Sequence, residues 1–159
     1  MLLPVKKILC PTDFSEPSYQ ALEEAVELCS HFDAELRVIH VVPEIPRAWW
    51  IQGDGVARLA NEPDLATYEE ELHKSAQQRL DTLIKQRVPK ELKSSGTVKR
   101  GDAASEIVRL AEDERAGLIV MATHGLTDWR HVTLGSVAER VVRASERPVL
   151  TIRVPRERR

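Results

Sequence analysis

LIVMATHGLTDWRHVTLGSVAERVV, residues 118–142, decides how this chain folds. It opens on a compact apolar run, Leu118-Ile119-Val120-Met121. A short, continuous run of this kind reads as a strand covered on both faces. The stretch closes on Val137, Ala138, Val141 and Val142, which recur at helical spacing, so 136–144 read as a helix. A doubly covered strand that leads into a helix is half of a βαβ unit. Between the two lies a loop in which nine residues separate Gly125 from Gly135.

The same alternation continues in both directions. Upstream, the run over 5–11 has Ile8, Leu9 and Cys10 at its centre. Thr12, Asp13 and Phe14 form a loop, Ser15 is an N-cap, and Pro17 falls in the first helical turn. Leu22, Ala25, Val26, Cys29 and Phe32 then mark a helix over 16–31. A second strand holds Leu36, Val38, Ile39, Val41 and Val42 and stops at Pro43. From 43 to 63 the pattern dissolves around Pro46, Trp49, Trp50, Gly53 and Gly55. Connections of that length are usually functional or mobile, and the tryptophan pair reads either as packing or as a lid or partner patch.

Asp64 caps a long helix whose stripe is Leu65, Tyr68, Leu72, Ala76, Leu80, Leu83 and Ile84; Glu69, Glu70 and Glu71 give it a solvated face. A polar strand over 97–100, a turn and cap at Gly101-Asp102, and a helix with Ala104, Ile107, Val108 and Ala111 follow. Pro148 opens a last strand over 149–154. Strands that alternate with helices pair in parallel through right-handed crossovers. The expected fold is α/β: one domain over 1–159, an open, doubly wound, five-stranded parallel sheet with helices on both faces. Such sheets bind ligands at the carboxyl ends of their strands, where the strand order reverses.

Composition narrows the function classes. The chain has 159 residues, 42% hydrophobic and 30% charged, which suits one domain with a core. A net charge of −2 argues against a nucleic-acid binder. Arg153, Arg156, Arg158 and Arg159 read as a solvated tail. No run is long enough for a membrane span, and the start lacks the apolar stretch of a signal peptide. Cys10 and Cys29 form no CxxC and read as buried, reduced thiols, so the expected location is the cytoplasm. The five histidines show no metal-ligand spacing, and GxSxG, Walker A and GxGxxG patterns are absent.

The loop after the 118–121 strand carries the chemistry. The first N–H groups of a helix lack internal partners and sit at the positive end of its dipole, which suits them to phosphate. Gly125 and Gly135 let backbone approach an anion, and Ser136 adds a hydroxyl. A plainer reading stands beside this one. Ser136-Val137-Ala138-Glu139 is also a capping box, with Ser136 capping the helix and Glu139 reaching back. His40, within an apolar strand, reads as a satisfied core histidine.

The combined motifs resemble the signature of the universal stress protein family. They are Val120-Met121-Ala122-Thr123-His124-Gly125 with Leu134-Gly135-Ser136-Val137-Ala138-Glu139-Arg140-Val141, Ile8-Leu9-Cys10-Pro11-Thr12-Asp13-Phe14-Ser15, Gly101-Asp102-Ala103 and Pro148-Val149-Leu150. The resemblance implies strand order 3-2-1-4-5. The family's ATP-binding members resemble the pattern Gly, two residues, Gly, nine residues, Gly-Ser/Thr. Here Ala122 replaces the first glycine, while Gly125, the spacing, Gly135 and Ser136 match. Alanine is tolerable there if the backbone torsion is ordinary and harmful if φ is positive. Leu126, Asp128 and Trp129 depart from the arginine and glycine that often open the family loop, and Arg130 or His131 offers compensating charge.

The resemblance places adenine near Pro11, Thr12, Asp13 and Val41, with Asp13 accepting from a ribose hydroxyl and Val41 offering backbone groups. Asp13 reads equally as a capping loop residue. Phosphates fall to Met121, Ala122, His124, Gly125, Gly135, Ser136 and Val137, although His124 reads equally as a structural hydrogen-bonder. The implied cofactor is ATP, or ADP or AMP, with magnesium or manganese compatible beside it. Three functions follow: a nucleotide-binding regulatory or stress-response factor with a protein partner of unknown identity, a slow ATP hydrolase, or a nucleotide-free dimeric scaffold. Hydrolysis needs a base beside a positioned water, and only Asp13 and His124 are near, so at most weak ATPase activity and no assigned catalytic residue are expected. The last strand lies at a sheet edge, and the resemblance implies a homodimer through it.

Overall fold

The computed structural model describes residues 4–44, 65–123 and 135–153. In chain order the elements are β1 (Lys7–Pro11), α1 (Glu16–Phe32), β2 (Glu35–Val42), α2 (Leu65–Arg87), β3 (Ser94–Arg100), α3 (Ala103–Asp113), β4 (Leu118–Ala122), α4 (Ser136–Ala144) and β5 (Val149–Ile152). The five strands form one parallel sheet in the order β3-β2-β1-β4-β5. This is the expected α/β architecture and strand order.

Two-residue alternation along the strands divides the core. Ile8 and Cys10 of β1, Leu36 and Val38 of β2 and Val120 of β4 pack with Leu22, Ala25 and Cys29 of α1 and Leu80 and Leu83 of α2. Leu9, Ile39, Ile119 and Met121 point the other way, onto Ala104, Ile107 and Leu110 of α3 and Ala138 and Val141 of α4. Both cysteines are buried reduced thiols, as expected. Burial pushes each of them up to about 12, with Cys29 adding to the effect at Cys10.

Helix starts follow the capping residues. Ser15 caps α1 by accepting from the Ser18 N–H, and Pro17 lies in the first turn. Asp102 caps α3, accepting from the Ser105 N–H at 3.0 Å and the Ser105 hydroxyl at 2.7 Å. The expected cap Asp64, the tryptophans and most of the 43–63 connection lie outside the described residues.

Three boundaries differ from the sequence reading. β3 starts at Ser94 rather than 97, because Ser94-Ser95-Gly96 keep pairing with Leu36, Arg37 and Val38 despite their low strand preference. β5 ends at Ile152, and 154 lies outside the described residues. The capping box is also corrected. Gly135 is the N-cap of α4 and Ser136 is its first helical residue, with no side-chain cap. The Glu139 N–H donates to the Gly135 carbonyl at 2.9 Å, which sets the helix one residue earlier than a Ser136 cap requires.

Candidate functional site

The two ends of the sheet differ in chemistry. At the amino ends of the strands Glu114 takes Lys7 at 2.5 Å and also Arg37. These two cationic donors hold its carboxyl below the usual range. At the carboxyl ends lies a cavity of about 310 Å³. It opens where β1 pairs with β2 on one side and β4 on the other, which is the switch point of this topology.

Four of the elements around the cavity carry residues read from the sequence. Pro11, Thr12 and Asp13 come from the end of β1, Ile39 and Val41 from β2, and Met121 and Ala122 from β4. Gly135, Ser136 and Val137 come from the start of α4. All of these except Ile39, nine residues, are candidate site residues singled out in the sequence, and they line one space. His124 and Gly125 lie outside the described residues, as do Leu126, Asp128, Trp129, Arg130 and His131.

The β1–α1 loop is held from below. Thr12 is buried; its N–H donates to the Ile39 carbonyl at 2.8 Å. Its hydroxyl lies 2.9 Å from that of Ser18 and accepts from the Phe14 N–H at 3.1 Å. Asp13 accepts from the Ser15 N–H at 3.0 Å and from the Ser15 hydroxyl, a bond within the loop, while the cap of α1 itself is Ser15. Phe14 takes φ 62°. The centroid of its ring lies 4.3 Å from that of His40, and the Arg79 guanidinium lies 4.2 Å over it.

His40 is the satisfied histidine that its apolar strand suggested. Its Nδ1 lies 2.8 Å from the Thr12 carbonyl, which makes that nitrogen the donor. Burial lowers its pKa and outweighs the opposing bond to Thr12 and the charge of Asp13, while nearby Arg79 lowers it further.

Ala122 resolves a question the sequence left open. It lies in β4, paired with Ile152, and is absent from the non-glycine residues with positive φ. Its methyl group therefore costs no backbone strain.

All four helices begin at this end of the sheet, and the first turns of α1, α3 and α4 differ. Ser15 occupies the start of α1 and Asp102 that of α3. At α4 the N-cap is Gly135, which has no side chain, so among the described residues this helix start carries no side-chain cap. The cap Gly135 is buried, and its own N–H donates to the Thr123 carbonyl at 2.7 Å. An anion at this end meets partnered donors at α1 and α3 and uncapped ones at α4.

Sequence reasoning missed the α3 wall. Ala103 and Ile107 line the cavity, and Asp102 just before them takes both guanidinium nitrogens of Arg140, at 2.6 and 2.8 Å. Arg140 and Ser105 together hold the Asp102 carboxyl well below the ordinary range. The available signal was the turn at Gly101-Asp102: it ends β3 and so must deliver α3 to the same edge as the other loops.

A parallel 3-2-1-4-5 sheet with a crevice between β1 and β4 defines a doubly wound domain of the ligand-binding type. The chain belongs to the universal stress protein family, whose model matches residues 4–153. It is 35% identical over 152 residues to universal stress protein MJ0531 of Methanocaldococcus jannaschii, covering 96% of this chain and 84% of that one. The solved structure of MJ0577, a protein of the same organism, superposes with a TM-score of 0.74 at 30% identity, covering 96% and 99% of the two chains. A universal stress protein in complex with cAMP matches at TM-score 0.57 and 20% identity over 94% of this chain and 97% of that one. One from Archaeoglobus fulgidus in complex with dAMP matches at 0.56 and 17% over 94% and 98%. At those identities the likeness shows the fold.

Proposed function

We propose that this protein binds an adenine nucleotide, ATP or its di- or monophosphate, in the crevice between β1 and β4, and acts as a regulatory stress-response factor rather than through turnover. The observation that carries the reading is the uncapped start of α4, opening into a largely apolar cavity whose neighbouring helix starts are already capped. Apolar Ile39, Val41, Met121 and Val137 suit a base, and amides at the start of α4 suit phosphate. The nucleotide complexes known for two relatives of the same fold support the same ligand class. Asp13 and the backbone of Val41 would take the ribose and adenine edge, and Met121, Ala122, Gly135, Ser136 and Val137 the phosphates; the motif implies the same role for His124 and Gly125. A magnesium or manganese ion bound with the nucleotide would neutralise phosphate charge.

Acid extraction of the freshly purified protein, followed by titration with ATP, tests this. Bound ATP, or micromolar affinity on titration, is the expected result. A clean extract with no heat of binding would leave the nucleotide-free scaffold. Bound ADP with steady phosphate release would make the protein a slow hydrolase.

We also propose that the protein is a homodimer through β5, working in the cytoplasm with a protein partner. β5 is an edge of the sheet, and Leu150 on it is 40% exposed. An unpaired apolar edge favours a second copy of itself. Among the described residues no helix is long and apolar enough to cross a membrane. Leu150→Arg is expected to convert the species seen by sedimentation at micromolar concentration from dimer to monomer. A wild type that sediments as a monomer would sink the dimer.

A further inference from the structure

One contact joins two walls of the crevice. Asp102 ends the β3–α3 turn, directly before the cavity-lining Ala103. Arg140 lies one turn along α4 from the cavity-lining Ser136. The two side chains form a fork, with Nη1 to Oδ2 at 2.8 Å and Nη2 to Oδ1 at 2.6 Å. Such a two-bond pairing fixes direction as well as distance. α4 needs that help: it is nine residues long and lacks a side-chain cap. A helix so short has little stability of its own. Near its start it is tied by the bond from Gly135 to Thr123, and one turn later by this fork.

We infer that the Asp102–Arg140 pair is a positioning element for the anion site: it clamps α4, one turn in from its start, against the start of α3 and keeps the uncapped amides aimed into the crevice. The inference rests on the nucleotide reading above, and it makes Asp102, a carboxylate at the rim of an anion site, a residue that favours anion binding. Simple charge bookkeeping says the opposite. Removing Asp102 takes away a negative charge and releases a guanidinium, both of which would attract phosphate. The sign of the effect therefore separates a clamp from a mere neighbouring charge, and from an Arg140 that waits to contact phosphate itself.

The test titrates ATP into the wild type, Asp102→Ser and Arg140→Lys, and follows amide exchange of 139–142 in the nucleotide-free proteins. Serine keeps the cap of α3 while ending the fork. Asp102→Ser is expected to weaken ATP binding about three- to fivefold, the range open to a largely exposed pair, and to speed exchange in α4 by a similar factor. Arg140→Lys, which keeps the charge but not the fork, is expected to move both readouts the same way by a smaller factor. Equal or tighter ATP binding by Asp102→Ser overturns the clamp while leaving the nucleotide reading intact. A wild type that binds no ATP overturns the nucleotide reading and this role with it. Should Asp102→Ser lose its fold, Arg140→Lys decides: affinity and exchange equal to the wild type's overturn the clamp.

Discussion

Gly135→Val is expected to lower ATP affinity by about 100-fold or more while the protein stays folded, a loss of roughly 3 kcal/mol of binding free energy. The backbone is not the reason. Gly135 has φ −59° and ψ 150°, an extended conformation that valine adopts without strain. The reason is position. Gly135 is the buried cap of α4 and lines the crevice, so a branched side chain there competes with the phosphates for one space. It also screens the amides that follow. Valine is a poorer N-cap than glycine by up to about 1 kcal/mol, which sets the expected fall in stability at a few degrees of Tm. Calorimetric titration of ATP and a thermal melt of the same sample separate the two effects. Affinity equal to the wild type's, in a variant that melts normally, would place the phosphates elsewhere.

What could be read from the sequence follows from which features are periodic. Ile8-Leu9-Cys10 and Leu118–Met121 are covered on both faces and announce themselves as apolar runs. The order of strands and helices then restricts the sheet to a doubly wound form. β3 was only half visible because its first residues, Ser94-Ser95-Gly96, carry no strand preference; pairing with β2 and cover from α2 place them in the sheet. The helix cap at α4 was misread by one residue because serine followed by glutamate at the third position has the same composition whether serine caps or starts the helix. Gly135 takes the cap, which leaves the Ser136 hydroxyl out of capping. The Asp102–Arg140 fork was not legible at all. It joins residues 38 apart in sequence, and nothing in either local pattern requires the other. Ala122 shows the reverse case: the sequence posed the question of its torsion, and a single backbone angle answers it.

Gly96→Val is expected to destabilise the fold by about 3 kcal/mol, the upper part of the range for overpacking a filled core. Gly96 lies in β3 opposite Val38, beneath α2. A Cβ there would stand 2.8 Å from Ile84 Cδ1 and 2.9 Å from Leu80 Cγ and Cδ2. The tip of Ile84 can swing aside, because that residue is only half-buried. Leu80 cannot, since it is fully buried between α2 and the sheet. The glycine is thus required by close approach of helix to strand, not by torsion. Leu80→Ala alone is expected to cost about 3 kcal/mol through lost burial and the cavity it leaves. The double variant Gly96→Val, Leu80→Ala puts the added methyl groups into the space that the leucine vacates. Its cost should fall about 1–2 kcal/mol short of the sum, the signature of two residues sharing one volume. Urea denaturation of the four proteins, read at unchanged m-value, measures that coupling. Strict additivity would mean that α2 moves off β3 to accommodate valine, and that the close contact at Gly96 does not set the helix position.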